Sequence, residues 1–161
     1  MILALDVSIT STGYVLFNKD GDVKGFGTIR TDNKKDIYAR LLFIEDEVVK
    51  LINDFKVKEI AIEAPAYGGR GSMSYQLFGV HFSIVRLMYS ENLPYKLLNI
   101  ASIKKFATSS GRASKTQMLQ ALPEEVREWF TSAGFMKSKG LYDLTDAYFI
   151  GKKYINDKKL K

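Results

Sequence analysis

Four acids stand out by position: Asp6 closes the apolar run Ile2 to Leu5, Glu63 closes Val57 to Ile62, and Asp143 and Asp146 are three apart in a segment of helical spacing. An acid at the end of a strand lies where open α/β sheets place their ligands, beyond the carboxyl ends of the strands. Residues three apart share one face of a helix. If the two strands are neighbours, the four carboxylates therefore converge. Like charges gathered this way repel unless compensated, and an all-oxygen set suits a hard divalent cation such as magnesium or manganese. Two such ions about 3.5 to 4 Å apart would activate a water and stabilise the leaving oxygen in phosphodiester cleavage. Taken singly, each acid has an ordinary explanation, a turn or the favourable field at a helix N-terminus. The weight lies in all four occurring together.

A polyanionic substrate fits the rest of the composition. The chain has 161 residues with 24 Lys+Arg against 18 Asp+Glu, a net charge of +6, and a pI near 9.4. Ser114 and Gln117 form a capping-box pattern that starts a helix at Lys115 and turns its free N–H groups outward beside Arg112, a good place for a phosphate. Arg70, Lys137 and Lys139 are further candidates for contacts that position a nucleic-acid backbone. With no cysteine, a disulfide scaffold, a thiolate metal site and a cysteine nucleophile are excluded, and an intracellular, cytoplasmic protein is the simplest expectation. No apolar stretch reaches the roughly 20 residues a membrane span needs. The Gly68 to Gly71 stretch lacks the Gly-Lys-Ser/Thr ending of a nucleotide loop and reads as a hinge. His81, inside an apolar segment, reads as a hydrogen-bonded core or interface residue, and Trp129 and Phe130 read as core. The lysines at 152, 153, 158, 159 and 161 read as a frayed, solvated terminus.

The elements that must position these residues follow from periodicity. Ile2 to Leu5, Gly13 to Phe17 and Asp22 to Ile29, with turn chemistry at Asn18-Lys19-Asp20-Gly21, predict a three-stranded meander. Ile37, Leu41, Ile44, Val48, Ile52 and Phe55 predict an amphipathic helix, Val57 to Ile62 a fourth strand, and Pro94 to Asn99 a fifth. Ser74 to Tyr89 is apolar around most of its circumference, so it is covered on two sides: by the sheet and a second subunit, or wholly within the core. Ser102 to Phe106, Lys115 to Leu122, Glu124 to Phe130 and Tyr142 to about Ile155 complete the helices. The prediction is an α/β protein with a five-stranded mixed sheet flanked by helices on both faces, as one domain over residues 1–161 with a short basic tail from about 156.

Leu3-Ala4-Leu5-Asp6-Val7-Ser8 with Thr12-Gly13-Tyr14, then Ile60-Ala61-Ile62-Glu63, Ser110 to Gln117, and Asp143-Leu144-Thr145-Asp146-Ala147 resemble, in order and spacing, the RuvC Holliday-junction resolvases. The resemblance implies a ribonuclease H-like fold and a homodimer joined through the helix Ser74 to Tyr89. It implies a magnesium-dependent endonuclease that nicks two strands of a four-way junction symmetrically and leaves 5′-phosphate and 3′-hydroxyl ends. In that family the carboxylates matching Asp6, Glu63, Asp143 and Asp146 hold the metals. Lys104 and Lys115 match lysines important for cleavage, Lys115 near the scissile phosphate. Two departures stand out: Ser8 replaces a usual glycine, as in forms carried by bacteriophages, and the aromatic that probes the junction is expected at Ala66, with Tyr67 one place later. The rival readings are a non-catalytic branched-DNA-binding protein of the same fold, a related nuclease cutting RNA–DNA hybrids, and an actin-like nucleotide-binding enzyme. The length and the lack of a second glycine-rich phosphate loop weigh against the last.

Overall fold

A computed structural model describes residues 1–65 and 72–160, with the backbone alone for 72–74. The elements run β1 (Ile2–Asp6), β2 (Ser11–Phe17), β3 (Val23–Arg30), α1 (Ile37–Asp54), β4 (Glu59–Glu63), α2 (Ser72–Ser90), β5 (Tyr95–Leu98), α3 (Ile100–Thr108), α4 (Lys115–Gln120), α5 (Glu124–Ser132) and α6 (Leu141–Lys159). The sheet order is β3-β2-β1-β4-β5, with the meander antiparallel and β1, β4 and β5 parallel. The turn between β2 and β3 forms because Asn18 Oδ1 accepts from the Asp20 and Asp22 N–H groups at 3.0 and 2.8 Å, while Gly21 takes φ +96°.

Strand parity decides which residues face which layer. Leu3, Leu5, Ile60 and Ile62 point into the core built with α1 and α2, whereas Ile2, Ala4 and Ala61 point into the core built with α6. Continuing the alternation puts Asp6 and Glu63 on the α6 side. The parallel register pairs Leu5 with Ile62, so these acids occupy the next rung, on strands about 4.8 Å apart.

Helix α6 lies across the middle of this face, and two glycines let it do so. On β2, Ser11, Gly13, Val15 and Phe17 alternate onto its side. A methyl on Gly13 would overlap the Asp143 carbonyl, and one on Gly151 would overlap the buried Phe17 ring. The two contacts, one per end of β2, fix both the height and the rotation of the helix.

Helix α2 is not wholly buried: Val80, Ile84, Leu87 and Met88 pack inward while Tyr75, Phe82 and Tyr89 are 83%, 71% and 73% exposed. An even apolar distribution around a helix thus hides one core face and one open face. Helix α6 continues to Lys159, so the expected frayed tail from about 156 is instead its last turn; Lys158 Nζ and Tyr154 OH both reach Glu59 Oε2 at 2.5 Å. Phe130 is in the core as expected, but Trp129 is 45% exposed and only rests edge-on against Phe26, with ring centroids 5.0 Å apart. His81 is buried, yet among the described residues its Nδ1 has no hydrogen-bond partner, and burial lowers its pKa. Among the described residues no helix is long and apolar enough to cross a membrane.

Gly151→Ala forces a methyl against a ring with no room to move, so it destabilises the fold by about 1–3 kcal/mol. A urea titration reads this as a lower midpoint, and an unchanged midpoint would contradict the close approach of α6.

Candidate active site

Each acid arrives by a separate local device. Asp6 ends β1, and Glu63 ends β4, where the Ala64 N–H donates to the Leu98 carbonyl at 2.8 Å and fixes the chain's exit. Asp143 and Asp146 sit on the first turns of α6, on one helical face and about 4.5 Å apart in rise. Ser11 Oγ donates to Asp143 Oδ2 at 2.6 Å. Beneath them, Thr12 is fully buried and closes the β1–β2 hairpin, donating to the Ser8 carbonyl at 2.8 Å and accepting from the Ser8 N–H at 3.2 Å. Ser8 is not among the positive-φ residues, so this hairpin does not require glycine there.

The charges of the acids act on one another. Asp6 is pushed well above the ordinary carboxylate range, first by burial, then by the charges of Asp146, Glu63 and Asp143, against which Lys115 pulls down. Glu63 rises to about 7 through burial and Asp146, opposed by Lys104 and Lys115. Asp146 rises to about 6, again chiefly through burial, with Lys115 and Lys104 lowering it and Asp143 raising it. All four acids therefore share one electrostatic site, with two lysines only partly offsetting their repulsion. Among the described residues no three of them close into a ready-made metal cage as the side chains stand. The oxygen-only donor set, disfavoured in its fully ionised form, nevertheless fits a divalent cation, whose charge would remove the cause of the raised pKa values.

The lysines come from the facing helices. Asn99 caps α3, accepting from the Ala101 N–H at 2.9 Å, and Lys104 is carried on that helix half-buried. The expected capping box at α4 is present: Ser114 Oγ accepts from the Gln117 N–H at 3.2 Å, and the Ser114 N–H donates to Gln117 Oε1 at 2.8 Å. It puts Lys115 first in the helix, its Nζ 5.8 Å from the centre of the Tyr142 ring. Arg112, Lys137 and Lys139 are exposed and do not figure among the charges that shift the acids. Tyr67 and Arg70 lie outside the described residues. The sequence reading overlooked Ser11 and Gly13 as partners of Asp143. The expected strand began at Gly13, and only the extension of β2 to Ser11 and the placement of α6 bring both residues to Asp143.

The sheet order and the helix placement define a ribonuclease H-like fold. Within that class the chain belongs to the RuvC family: residues 2–126 match the family described as crossover junction endodeoxyribonuclease RuvC. It is 29% identical over 125 residues to the RuvC of Rickettsia conorii, covering 76% of this chain and 80% of that protein. With the RuvC of Ehrlichia canis it shares 24% over 148 residues, covering 91% and 90%. Thermus thermophilus RuvC, solved in complex with a Holliday junction substrate, superposes with a TM-score of 0.72 at 12% identity over 98% of this chain and 94% of that one. The family match takes in Asp6, Glu63, Lys104, Arg112 and Lys115 and ends before α6. The RuvC family is metal-dependent in general.

The raised pKa values give stability a definite pH dependence without metal. Glu63 and Asp146 bind protons more tightly folded, at about 7 and 6, than unfolded, where carboxyls titrate near 4. The folded state therefore loses stability as pH rises from about 4 to 7. Thermal melting in EDTA should show Tm falling across that window, and Asp146→Asn should flatten the fall.

Proposed function

We propose that this chain is a Holliday junction resolvase, a structure-specific endodeoxyribonuclease that hydrolyses paired phosphodiesters in branched DNA. The observation that carries the reading is the shared electrostatic site of Asp6, Glu63, Asp143 and Asp146, flanked by Lys104 and Lys115, in a chain of the crossover junction endodeoxyribonuclease family. That Thermus thermophilus RuvC was solved with a junction supports the same partner here.

The acids are the residues we assign to a pair of magnesium ions, or manganese in their place. Bound there, the metal supplies Lewis acidity that activates water and neutralises charge developing on the phosphate. The protein's own groups do the rest. Asp6 takes the central position, because three other carboxylates act on it. Lys115, at the start of α4, holds its ammonium where negative charge builds on the scissile phosphate, and Lys104 offsets the acids from α3. Arg112, Lys137 and Lys139, all exposed, grip backbone phosphates away from the cut. Arg70 and the junction-probing Tyr67 keep these roles on the sequence resemblance. Recognition by shape and backbone rather than a base code fits this side-chain set.

Two symmetric cuts need two sites, and the open face of α2 supports a homodimer. Tyr75, Phe82 and Tyr89 are large, apolar and exposed on it, beside exposed Tyr38 and Leu42 of α1. The whole chain acts as one nuclease domain in this reading, in the cytoplasm of a bacterial cell or phage-infected host.

With an end-labelled four-way junction and a linear duplex of matching sequence, magnesium should yield paired nicks near the branch point, with 5′-phosphate ends, on the junction alone. EDTA, Asp6→Asn or Asp146→Asn should abolish cutting while junction binding persists, and Lys115→Ala should slow it about 10²–10³-fold. A wild-type protein that shifts the junction but never cuts it in magnesium or manganese is a binding module instead. Phe82→Glu should sediment as a monomer and lose the pairing of the nicks; a dimer that survives this change joins through another surface.

A further inference from the structure

Asp143 stands on the weakest part of its helix. The N-cap of α6 is Gly140, at φ +86°, which offers no side chain to the free N–H groups of the first turn. Two neighbours on β2 compensate. Gly13 seats the Asp143 backbone directly against the strand. Two residues away on the same face, Ser11 Oγ donates to Asp143 Oδ2 at 2.6 Å, inside the range of charge-assisted hydroxyl–carboxylate bonds. Backbone and head group are held from the same strand, so the carboxylate has little freedom to turn. Among the described residues nothing hydrogen-bonds Asp143 Oδ1, and no hydroxyl or amide donates to the carboxylates of Asp6, Glu63 or Asp146. Of the four acids, Asp143 alone accepts from a neutral side-chain donor among the described residues.

We propose that Ser11 is a positioning residue for the metal site: it locks Asp143 with one oxygen occupied and the other presented toward the acids on the sheet. The proposal deepens the nuclease reading and rests on it. A hydroxyl at this place does what an outer-shell donor does for a metal-ligating carboxylate. It sets the orientation before the ion arrives, and losing such a partner typically costs about 10- to 100-fold in metal affinity. A purely structural staple between β2 and α6 would show instead as lost stability with metal affinity intact.

The test measures Mn2+ binding to the full chain without DNA, by the electron paramagnetic resonance signal of the free ion. Wild type, Ser11→Ala, Ser11→Thr and Asp6→Asn are compared, with junction binding in EDTA as the check of folding. Ser11→Ala should bind Mn2+ about 10- to 100-fold more weakly while holding the junction normally in EDTA. Ser11→Thr, which keeps the hydroxyl, should restore most of the affinity. Ser11→Ala with wild-type affinity overturns the assignment of Ser11 alone, and so does a Ser11→Thr variant as weak as Ser11→Ala. Wild type that takes up no Mn2+, indistinguishable from Asp6→Asn, overturns the nuclease reading and the Ser11 assignment with it.

Discussion

The closeness of α6 to the sheet governs the rest of the molecule. A helix normally packs on a sheet at a distance set by the side chains between them, and here those side chains are removed at two points. Gly13 meets the Asp143 backbone and Gly151 meets Phe17, one contact near each end of β2. Small residues continue the channel at Ala4 and Ala61 on β1 and β4, and at Ala147 on the helix, all fully buried. With the helix this low, short acids on it reach the field of the acids that end β1 and β4. Longer spacers would have kept two pairs of carboxylates apart.

That nearness has an electrostatic cost, which the fold carries rather than relieves. Burial and mutual repulsion raise Asp6, Glu63 and Asp146 together, and Lys104 and Lys115 are placed to reduce the strain without cancelling it. The elements that carry these charges are pinned by hydrogen bonds: the Thr12–Ser8 hairpin bonds, the capped start of α3 and the capping box of α4. A site that holds like charges together needs such a frame, because the charges themselves favour moving apart.

Much of this was legible in the sequence, for identifiable reasons. Apolar runs ending in acids marked β1 and β4, and the Ser114–Gln117 pattern located the start of α4. The family motifs tied these pieces in register. What periodicity could not resolve were pairings between distant segments. Whether α2 was covered on one side or two depends on what lies outside it, and a lysine-rich ending looks solvated until Glu59 and Tyr154 are known to be beside it. Ser11 lay outside the strand expected at Gly13 to Phe17, and its partner is 132 residues away.

That separation also bears on when the site comes into being. Asp6 and Glu63 belong to the first half of the chain, whereas α6 is the last of the described elements, joined to the sheet at Ser11 and again at Glu59. Contacts between such distant segments close the longest loops, which cost the most chain entropy. A growing or half-folded chain thus displays cationic side chains before it possesses a full complement of acids. The shared field of the four acids therefore exists only once α6 has docked, because Asp143 and Asp146 reach Asp6 from that helix alone.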